Sequence, residues 1–499
     1  MLTKASPYRL AMSLQSQPTT SSRPDTPPTR PGAVLAVLSL AAFMSSLDLF
    51  IVNVAFADIQ HSFGEASLTD LSWVLNGYAI LFAALLVPLG RLADRFGRKA
   101  GFLLGVALFT VASLACALSP GLWWLVAFRG VQAIGAAALV PASLGLLLTA
   151  TPAANRVRAV RIWAATGALA AGVGPMIGGL LVSASWHWVF LVNLPIGLVT
   201  LIAAGRLVPE SRDRGVTGLP DLLGALVIAL AVGSLALALV KGPDWGWSGP
   251  ATLAGFAASA ICWALFWWRS SRHPLPVIEP GLLRVRAFAW SNVAMLIFSV
   301  AFAITLLASI LWMQQIWDYS ALRTGFAIAP GPLVVPVFAA IAQSVAHRVP
   351  VGQITAIGTA LCGISSLIII FTLGAEPAYA SEFLPAWLIG GAGVGLTLPT
   401  LLSAATADLP ATQAATGSAV VNMSRQIGTV FGVSAVVVLL GSPDGYPQAH
   451  RAFQHVWWFA VFCALLAVPA ALGMTPRNRP GTPVPNQQDE SAQAVGQPG

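Results

Sequence analysis

Charged residues are scarce in this sequence. Asp, Glu, Lys and Arg make up 9% of the 499 residues, whereas 57% are hydrophobic. A soluble protein has about a quarter of its residues charged. The mean hydropathy of +0.78 and the repeated apolar runs of about 20 residues therefore predict a polytopic membrane protein. The runs lack the short alternation typical of β-barrel strands, which favours an all-α protein.

The patterns of several enzyme classes are also missing. The four cysteines fall singly in four different apolar runs, and the six histidines do not cluster. No GxxxxGK[ST] phosphate loop, paired carboxylates or nucleophile motif occurs in the apolar runs. We therefore expect a protein that is not an enzyme or an ATP-driven pump and that has no metal and no cofactor.

Apolar runs separated by turn and charge clusters predict 14 membrane spans. Their approximate limits are 33–57, 71–90, 101–118, 122–149, 159–183, 189–208, 221–240, 250–268, 288–313, 325–346, 353–374, 383–407, 417–441 and 453–474. An even number of spans places both termini on one side of the membrane.

The distribution of the 26 basic residues predicts which side that is. With both termini in the cytoplasm, 21 of them lie on the cytoplasmic side, three lie in outer loops, and Arg129 and Arg425 lie inside spans. Positive charge is retained on the cytoplasmic side. Topology thus explains the net charge of +8, and we expect membrane lipid rather than nucleic acid as a partner.

Two charged residues lie deep within predicted spans, where a charge is energetically costly. Asp48, in the stretch SSLDLFIVNVAF, and Arg129, in LVAFRGVQAIGAAALVP, lie at similar predicted depths. A carboxylate or arginine at the centre of a span costs about 2.5–3.5 kcal/mol on insertion scales. A structural polar contact for Asp48 and a snorkelling Arg129 are the alternatives to a functional role, although Arg129 lies deeper than the interfacial Trp123 and Trp124.

Three further stretches of the sequence place particular charged, polar or small residues in a defined order. GRLADRFGRKAGFLLG, from Gly90, sets Asp94 among Arg91, Arg95, Arg98 and Lys99 between the second and third spans. GALAAGVGPMIGGLL, in the fifth span, carries Gly174, Pro175, Gly178 and Gly179, a small-residue surface that permits close helix packing. TGSAVVNMSRQIGTVFG, in the thirteenth span, contains Asn422 and Arg425.

Together these stretches resemble the major facilitator superfamily, in its 14-span drug:proton antiporter branch of multidrug efflux permeases. WHWVFLVNLPIG, at the start of the sixth span, also resembles that branch, with His187 where arginine is usual. The resemblance implies two six-helix bundles with two inserted helices. The expected division is a disordered cytoplasmic tail (1–32), a first bundle (33–208), two additional helices and a linker (209–287), a second bundle (288–474) and a second disordered tail (475–499).

The resemblance also implies roles for these residues. Asp48 and Arg129 would couple transport to protons, and the loop residues Gly90, Asp94, Arg95, Gly97 and Arg98 would latch the two halves together on the cytoplasmic side. The glycines and proline of the fifth span match an exporter motif. Candidate residues of a substrate cavity are Asn53, Gln132, Asn193, Asn422 and Arg425, although a structural ion pair or backbone contact is an alternative for Arg425. His187 is interpreted as interfacial.

The expected function is the export of lipophilic organic compounds in exchange for protons across the bacterial cytoplasmic membrane, by a monomer. Abundant Phe and Trp with few fixed charges favour a lipophilic small-molecule substrate. The alternatives are a proton-coupled importer and a metabolite exporter of the same fold.

Overall fold

A computed structural model describes residues 31–475, except 65, 213–217, 410–412 and 442. The predicted disordered tails therefore lie almost entirely outside the described residues. Within the described part of the chain all regular elements are helices, and 14 helical segments are long and apolar enough to span a membrane. This confirms the predicted all-α class and number of spans. A helix satisfies its own backbone hydrogen bonds, which the hydrocarbon core of a bilayer cannot do.

We number these segments as spans 1 to 14. They are Pro31–Val54, Leu68–Phe96, Arg98–Ala117, Leu122–Ala150, Arg158–Val182, Trp188–Leu207, Leu222–Trp245, Pro250–Ser270, Arg286–Gln315, Ala321–Val345, Val351–Thr372, Tyr379–Ala407, Thr416–Leu440 and Tyr446–Gly473. We call outer the end that carries the loop between spans 1 and 2, and inner the end that carries residues 31 and 475.

Several helices extend beyond the apolar runs, and this corrects the predicted ends. Span 2 continues to Phe96 rather than ending near residue 90, so Gly90 and Asp94 lie within a helix instead of a loop. Gly97 alone separates spans 2 and 3 and has a φ of 134°, which favours glycine. Span 14 begins at Tyr446, about two turns before its predicted start. Hydropathy marks where a helix meets lipid, whereas the helix itself continues into polar surroundings.

The spans form two six-helix bundles. In the first, span 4 packs against spans 2 and 3, and span 1 packs against span 5. In the second, span 9 packs against spans 13 and 14, and span 11 packs against spans 12 and 14. Spans 7 and 8 form a hairpin whose span 7 contacts both span 2 and span 13. An ion pair of 3.0 Å from Lys241 to Asp70 joins this hairpin to the first bundle at the outer end.

The two bundles are closed against each other at the outer end. One buried hydrophobic cluster there contains Ile51 and Val189 of the first bundle together with Trp312 and Val436 of the second. At the inner end, the first bundle has a hydrophobic cluster largely of its own. Spans 5 and 10 are tightly apposed in their outer halves, whereas the inner halves of both helices are exposed. The structure is therefore a conformation that opens toward the inner end.

Candidate functional site

The carboxylate of Asp48 and the guanidinium of Arg129 form a buried ion pair. Nη1 of Arg129 donates to Oδ2 of Asp48, and the two residues are 1% and 0% exposed, Arg129 first. The similar depths predicted for these residues on spans 1 and 4 thus correspond to direct contact. The two charges neutralise each other inside the protein.

Amide side chains from two other positions complete the surroundings of this carboxylate. Gln132 and Asn193 donate to Oδ1 of Asp48 over 2.8 and 3.0 Å. Gln132 also accepts from Arg129 over 2.6 Å and donates to Ser113 over 2.8 Å. Four spans, 1, 3, 4 and 6, therefore contribute to one hydrogen-bond network. Gln132 and Asn193, predicted for the substrate cavity, lie beside Asp48 and are fully buried.

Two aromatic rings cover Arg129. Its guanidinium carbon lies 4.2 Å from the ring centroid of Tyr78 and 5.8 Å from that of Phe190. A cation over an aromatic face is stabilised by the ring quadrupole. The hydroxyl of Tyr78 is buried and has no hydrogen-bond partner among the described residues. Tyr78 was not identified from the sequence, because nothing in an apolar span distinguishes a tyrosine that covers a charge from one that packs in the core.

The other predicted cavity residues lie apart from this network. Asn53 is half-buried and donates to the backbone oxygen of Leu49 over 2.8 Å. Asn422, on span 13, is half-buried and donates to the backbone oxygen of Ser418 over 3.0 Å. Arg425 lies one turn further along span 13, and its Nε is buried without a hydrogen-bond partner among the described residues.

An apolar groove runs along the inner halves of spans 1 and 5. Its volume is about 440 Å³. Its lining includes Leu35, Leu40, Phe43 and Ile162, with Thr166 as one of few polar members. A surface of this kind suits the hydrocarbon part of a ligand better than a sugar or an inorganic ion.

The predicted latch residues lie near the inner end. The contact between the first bundle and the linker after span 8, however, is made by another arginine, Arg91. Asp94 pairs with Arg98 over 2.6 Å within the first bundle. Arg91 instead pairs over 2.5 Å with Glu279 and donates over 2.8 Å to the backbone oxygen of Pro276, both in the linker after span 8. Arg95 lies near the ring of Phe96, its guanidinium carbon 5.1 Å from the centroid.

Glu279 connects three parts of the protein. Besides Arg91 it accepts a hydrogen bond of 3.2 Å from Gln413, which precedes span 13 of the second bundle. One carboxylate of the linker thus contacts both bundles. Glu279 was not singled out from the sequence, although it is the only acidic residue in the linker stretch RSSRHPLPVIEPGLLRVRAF, and that is the signal that could have found it.

The N-terminus of span 3 has a carboxylate partner that the sequence did not reveal. Glu210, beyond the end of span 6, accepts hydrogen bonds from the backbone N–H groups of Lys99 and Ala100 over 3.0 and 3.3 Å. A carboxylate at a helix N-terminus satisfies unpaired N–H groups and interacts favourably with the helix dipole. This contact fixes the position of the Gly97 turn relative to span 6.

The glycines of span 5 divide between two neighbours. Added Cβ atoms at Gly174 and Gly178 would lie 2.9 and 3.0 Å from Phe50 and Ile51 of span 1, in the same bundle. A Cβ at Gly179 would lie 2.5 Å from the backbone oxygen of Ala321 in span 10. Close helix packing at these positions is therefore observed, and Gly179 lies at the outer contact between the two bundles.

His187 lies at the outer end, just before span 6. Its ring stacks on Trp186 with centroids 3.9 Å apart, and its Nδ1 lies 2.6 Å from the hydroxyl oxygen of Ser185. Burial lowers the pKa of His187 below its ordinary value of 6.5. His187 makes none of the hydrogen bonds of the Asp48 network, which supports its interpretation as an interfacial residue.

Known proteins share both the sequence pattern and the fold. A family model described as Major Facilitator Superfamily matches residues 38–433. The chain is 32% identical to a methylenomycin A resistance protein of Bacillus subtilis (strain 168), over 84% of this chain and 90% of that protein. It is also 32% identical to the multidrug resistance protein Stp of Mycobacterium tuberculosis (strain CDC 1551 / Oshkosh), over 82% of this chain and 75% of that protein.

A solved structure extends the likeness to the fold. A crystal structure of a POT family transporter in complex with 5-aminolevulinic acid superposes with a TM-score of 0.64 at 17% identity. The match covers 89% of this chain and 96% of that chain. With the family model matching most of the spans, these likenesses establish that the chain belongs to the major facilitator superfamily.

Proposed function

We propose that this protein exports lipophilic organic compounds across the bacterial cytoplasmic membrane in exchange for protons, by alternating access. It acts as a monomer with both termini in the cytoplasm. The bundles exchange the conformation described here, open toward the inner end, for one that opens toward the outer end. Transport requires no catalytic residue and no cofactor.

One observation carries this proposal: the carboxylate of Asp48 is buried within span 1 in a hydrogen-bond network that joins four spans. Asp48 faces a permanent cation, Arg129, and two neutral amides, so protonation of Asp48 would release Arg129 from its ion pair. A buried pair of this kind is weak evidence for stability, because apolar residues stabilise a protein equally well there. Its presence deep within the spans therefore supports a role in proton coupling.

Two further observations support export of lipophilic compounds. The relatives reported above bear names of antibiotic and multidrug resistance proteins. The groove between spans 1 and 5 is apolar and lies at the inner end, where a compound arriving from the cytoplasm or the inner leaflet would enter.

The experiment is a transport assay that measures proton movement and direction together. Inverted membrane vesicles containing the protein are energised to acidify their interior, and a panel of antibiotics is added while internal pH is followed. We expect a transported compound to release protons from the vesicles and to accumulate inside them. Susceptibility of a pump-deficient host across the same panel selects the compounds.

The controls separate this function from its alternatives. Asp244→Asn, which removes an exposed carboxylate at the outer end, is expected to behave as wild type, whereas Asp48→Asn should release no protons. Compound leaving inverted vesicles as protons leave would indicate an importer. Proton release by a self-made metabolite alone, with no change in antibiotic susceptibility, would indicate a metabolite exporter.

A further inference from the structure

A polar strip runs along one face of span 13. Ser418, Asn422, Arg425 and Thr429 are spaced by four, three and four residues, which places them on one side of an α-helix. All four are half-buried, whereas the neighbouring Met423 and Ile427 pack among apolar residues of spans 2 and 7. Such a strip within a membrane faces a cavity or protein rather than lipid.

Among the described residues, the polar groups of this strip form no hydrogen bonds to other helices. The amide of Asn422 donates to the backbone oxygen of Ser418, and the hydroxyl of Thr429 donates to that of Arg425, both within span 13. The guanidinium of Arg425 forms no hydrogen bond and no ion pair with any residue that the structure describes. The structural ion pair and the backbone contact considered for Arg425 from the sequence are both absent among those residues.

A second donor without a partner lies on span 2 of the first bundle, which packs against span 13. Tyr78, on span 2, is 1% exposed, and its buried hydroxyl has no hydrogen-bond partner among the described residues. Spans 2 and 13 are in direct contact two residues before Tyr78, where Asn76 donates to the hydroxyl of Ser434 over 3.3 Å. Since a buried donor without a partner costs about 1–3 kcal/mol, two such donors on adjoining helices of the two bundles indicate a missing acceptor.

The charge balance of the interior indicates the sign of that acceptor. Asp48 and Arg129 neutralise each other, whereas Arg425, which lies well inside span 13, has no counterion among the described residues. A cationic compound would be repelled there. A deprotonated carboxyl or similar acidic group would accept hydrogen bonds from both Arg425 and Tyr78, in the manner of charge-assisted hydrogen bonds.

We propose that the substrates of this transporter are lipophilic organic acids, whose deprotonated group binds between Arg425 of the second bundle and Tyr78 of the first. This rests on the function proposed above and narrows its substrate class. The acid contacts both bundles at once, which links its binding to their relative position. The face of Tyr78 already contacts Arg129, so the same residue adjoins the substrate's acidic group and the proton site.

An electrical consequence follows from the sign of the substrate. Exchange of one exported anion for one imported proton carries two positive charges inward, whereas exchange of a monovalent cation for one proton carries none. An inside-negative membrane potential would therefore drive export of an acid even without a pH gradient, at about 2.3 kcal/mol per charge per 100 mV.

The test compares three ligands on one scaffold: 2-naphthoate, 2-naphthamide and 2-naphthylmethylammonium. Their binding to the purified full-length protein in lipid nanodiscs is measured by calorimetry at pH 7.5 without any gradient. We expect 2-naphthoate to bind about tenfold or more tightly than the amide, and the ammonium to bind more weakly than the amide. Arg425→Gln should reduce the ratio of naphthoate to amide affinity to about one, and Arg425→Lys should keep a ratio of severalfold.

Two further variants test whether the preference for the acid arises at the proposed site. Tyr78→Phe removes the hydroxyl but keeps the ring under Arg129, and it should weaken naphthoate binding about threefold to tenfold without affecting the amide. Arg323→Gln removes a cation at the outer end, where Arg323 stacks 3.7 Å from the ring centroid of Tyr319, and should leave all three affinities unchanged. If Arg425→Gln fails to fold, Arg425→Lys and Tyr78→Phe still decide the question.

Three results would overturn the proposal: equal affinity for the acid and the amide in the wild type, a preference for the ammonium, or no measurable binding of 2-naphthoate at 1 mM, about the weakest affinity such an assay detects. The two assays can disprove the anion site and proton-coupled export independently of each other. Acid preference without proton release would disprove proton-coupled export and leave the anion site, whereas proton release with cationic compounds alone would disprove the anion site and leave the pump.

Discussion

Asp48 and Arg129 are 81 residues apart in the sequence, yet they form an ion pair that is buried inside the protein. Burial of either charge alone would be costly, because removing one partner leaves an uncompensated charge. The pair therefore has one stable arrangement when Asp48 is ionised and loses its charge–charge attraction when Asp48 is protonated. This two-state behaviour is what a proton-coupled transporter requires.

We expect Asp48→Asn to abolish gradient-driven export and substrate-induced proton release, while Asp48→Glu keeps part of both. Asp48→Asn should also destabilise the protein by about 3–5 kcal/mol, because Arg129 remains buried without its partner. The double variant Asp48→Asn, Arg129→Gln should recover stability but not coupling. Proteoliposomes with an imposed pH gradient measure the first effect and unfolding in detergent the second. Full gradient-driven transport by Asp48→Asn would show that the aspartate is merely structural.

The linker carboxylate Glu279 is expected to hold the inner end of span 2 against the linker after span 8. Its ion pair with Arg91 is partly exposed and contributes about 1 kcal/mol, so Glu279→Gln should shift the conformational populations about fivefold. Spin labels on exposed Phe96 and Ser271 would report a broader distance distribution in the variant. Asp244→Asn, at the outer end, is the control. An unchanged distribution and an unchanged transport rate would assign Glu279 no conformational role.

Closure at the outer end should depend on Gly179. Gly179→Ala places a Cβ 2.5 Å from the backbone oxygen of Ala321, and a backbone oxygen cannot be displaced as a flexible side chain can. We expect loss of transport and faster labelling, from outside, of a cysteine at position 53 in a cysteine-free background. Gly172→Ala is the matched control, since its nearest atom would be 3.6 Å away. Equal transport by both variants would refute the assignment.

Burial of His187 predicts a small dependence of stability on pH. Because its pKa is lowered in the folded protein, the unfolded state binds the proton more readily. The contribution of this group is therefore constant above the ordinary pKa of 6.5 and is lost as the pH falls from 6.5 through the folded pKa. Midpoints of thermal unfolding between pH 5 and pH 8 should fall less on acidification for His187→Gln than for wild type. Identical curves would exclude this effect.

Topology can be tested by labelling. Single cysteines in the loop between Asp58 and Asp70 should react with an impermeant thiol reagent added outside intact cells, because 21 of the 26 basic residues belong to the opposite side. Single cysteines near Arg156 should react only after the membrane is opened. The reverse pattern would invert the orientation.

The sequence by itself determined the number of spans and their approximate limits. It also identified the charged residues inside spans, which are costly to place in a membrane. Hydropathy is a local property, because each helix must satisfy its own backbone in lipid whatever its neighbours are. For the same reason Asp48, Arg129 and Arg425 were identifiable as costly charges before any fold was known. The division of the spans into two bundles followed from the resemblance and the order of its motifs.

Only the tertiary structure decided what these residues contact. It paired Asp48 with Arg129, surrounded the pair with Gln132 and Asn193, and left Arg425 without a counterion among the described residues. Helix faces and crossing positions result from close packing between spans, which no single span encodes. Arg91 contacts Glu279, which is 188 residues away in the sequence. This contact depends on how the hairpin of spans 7 and 8 packs against the two bundles. The sequence therefore identified the arginines near the Gly97 turn but could not show that Arg91 is the one that contacts the linker.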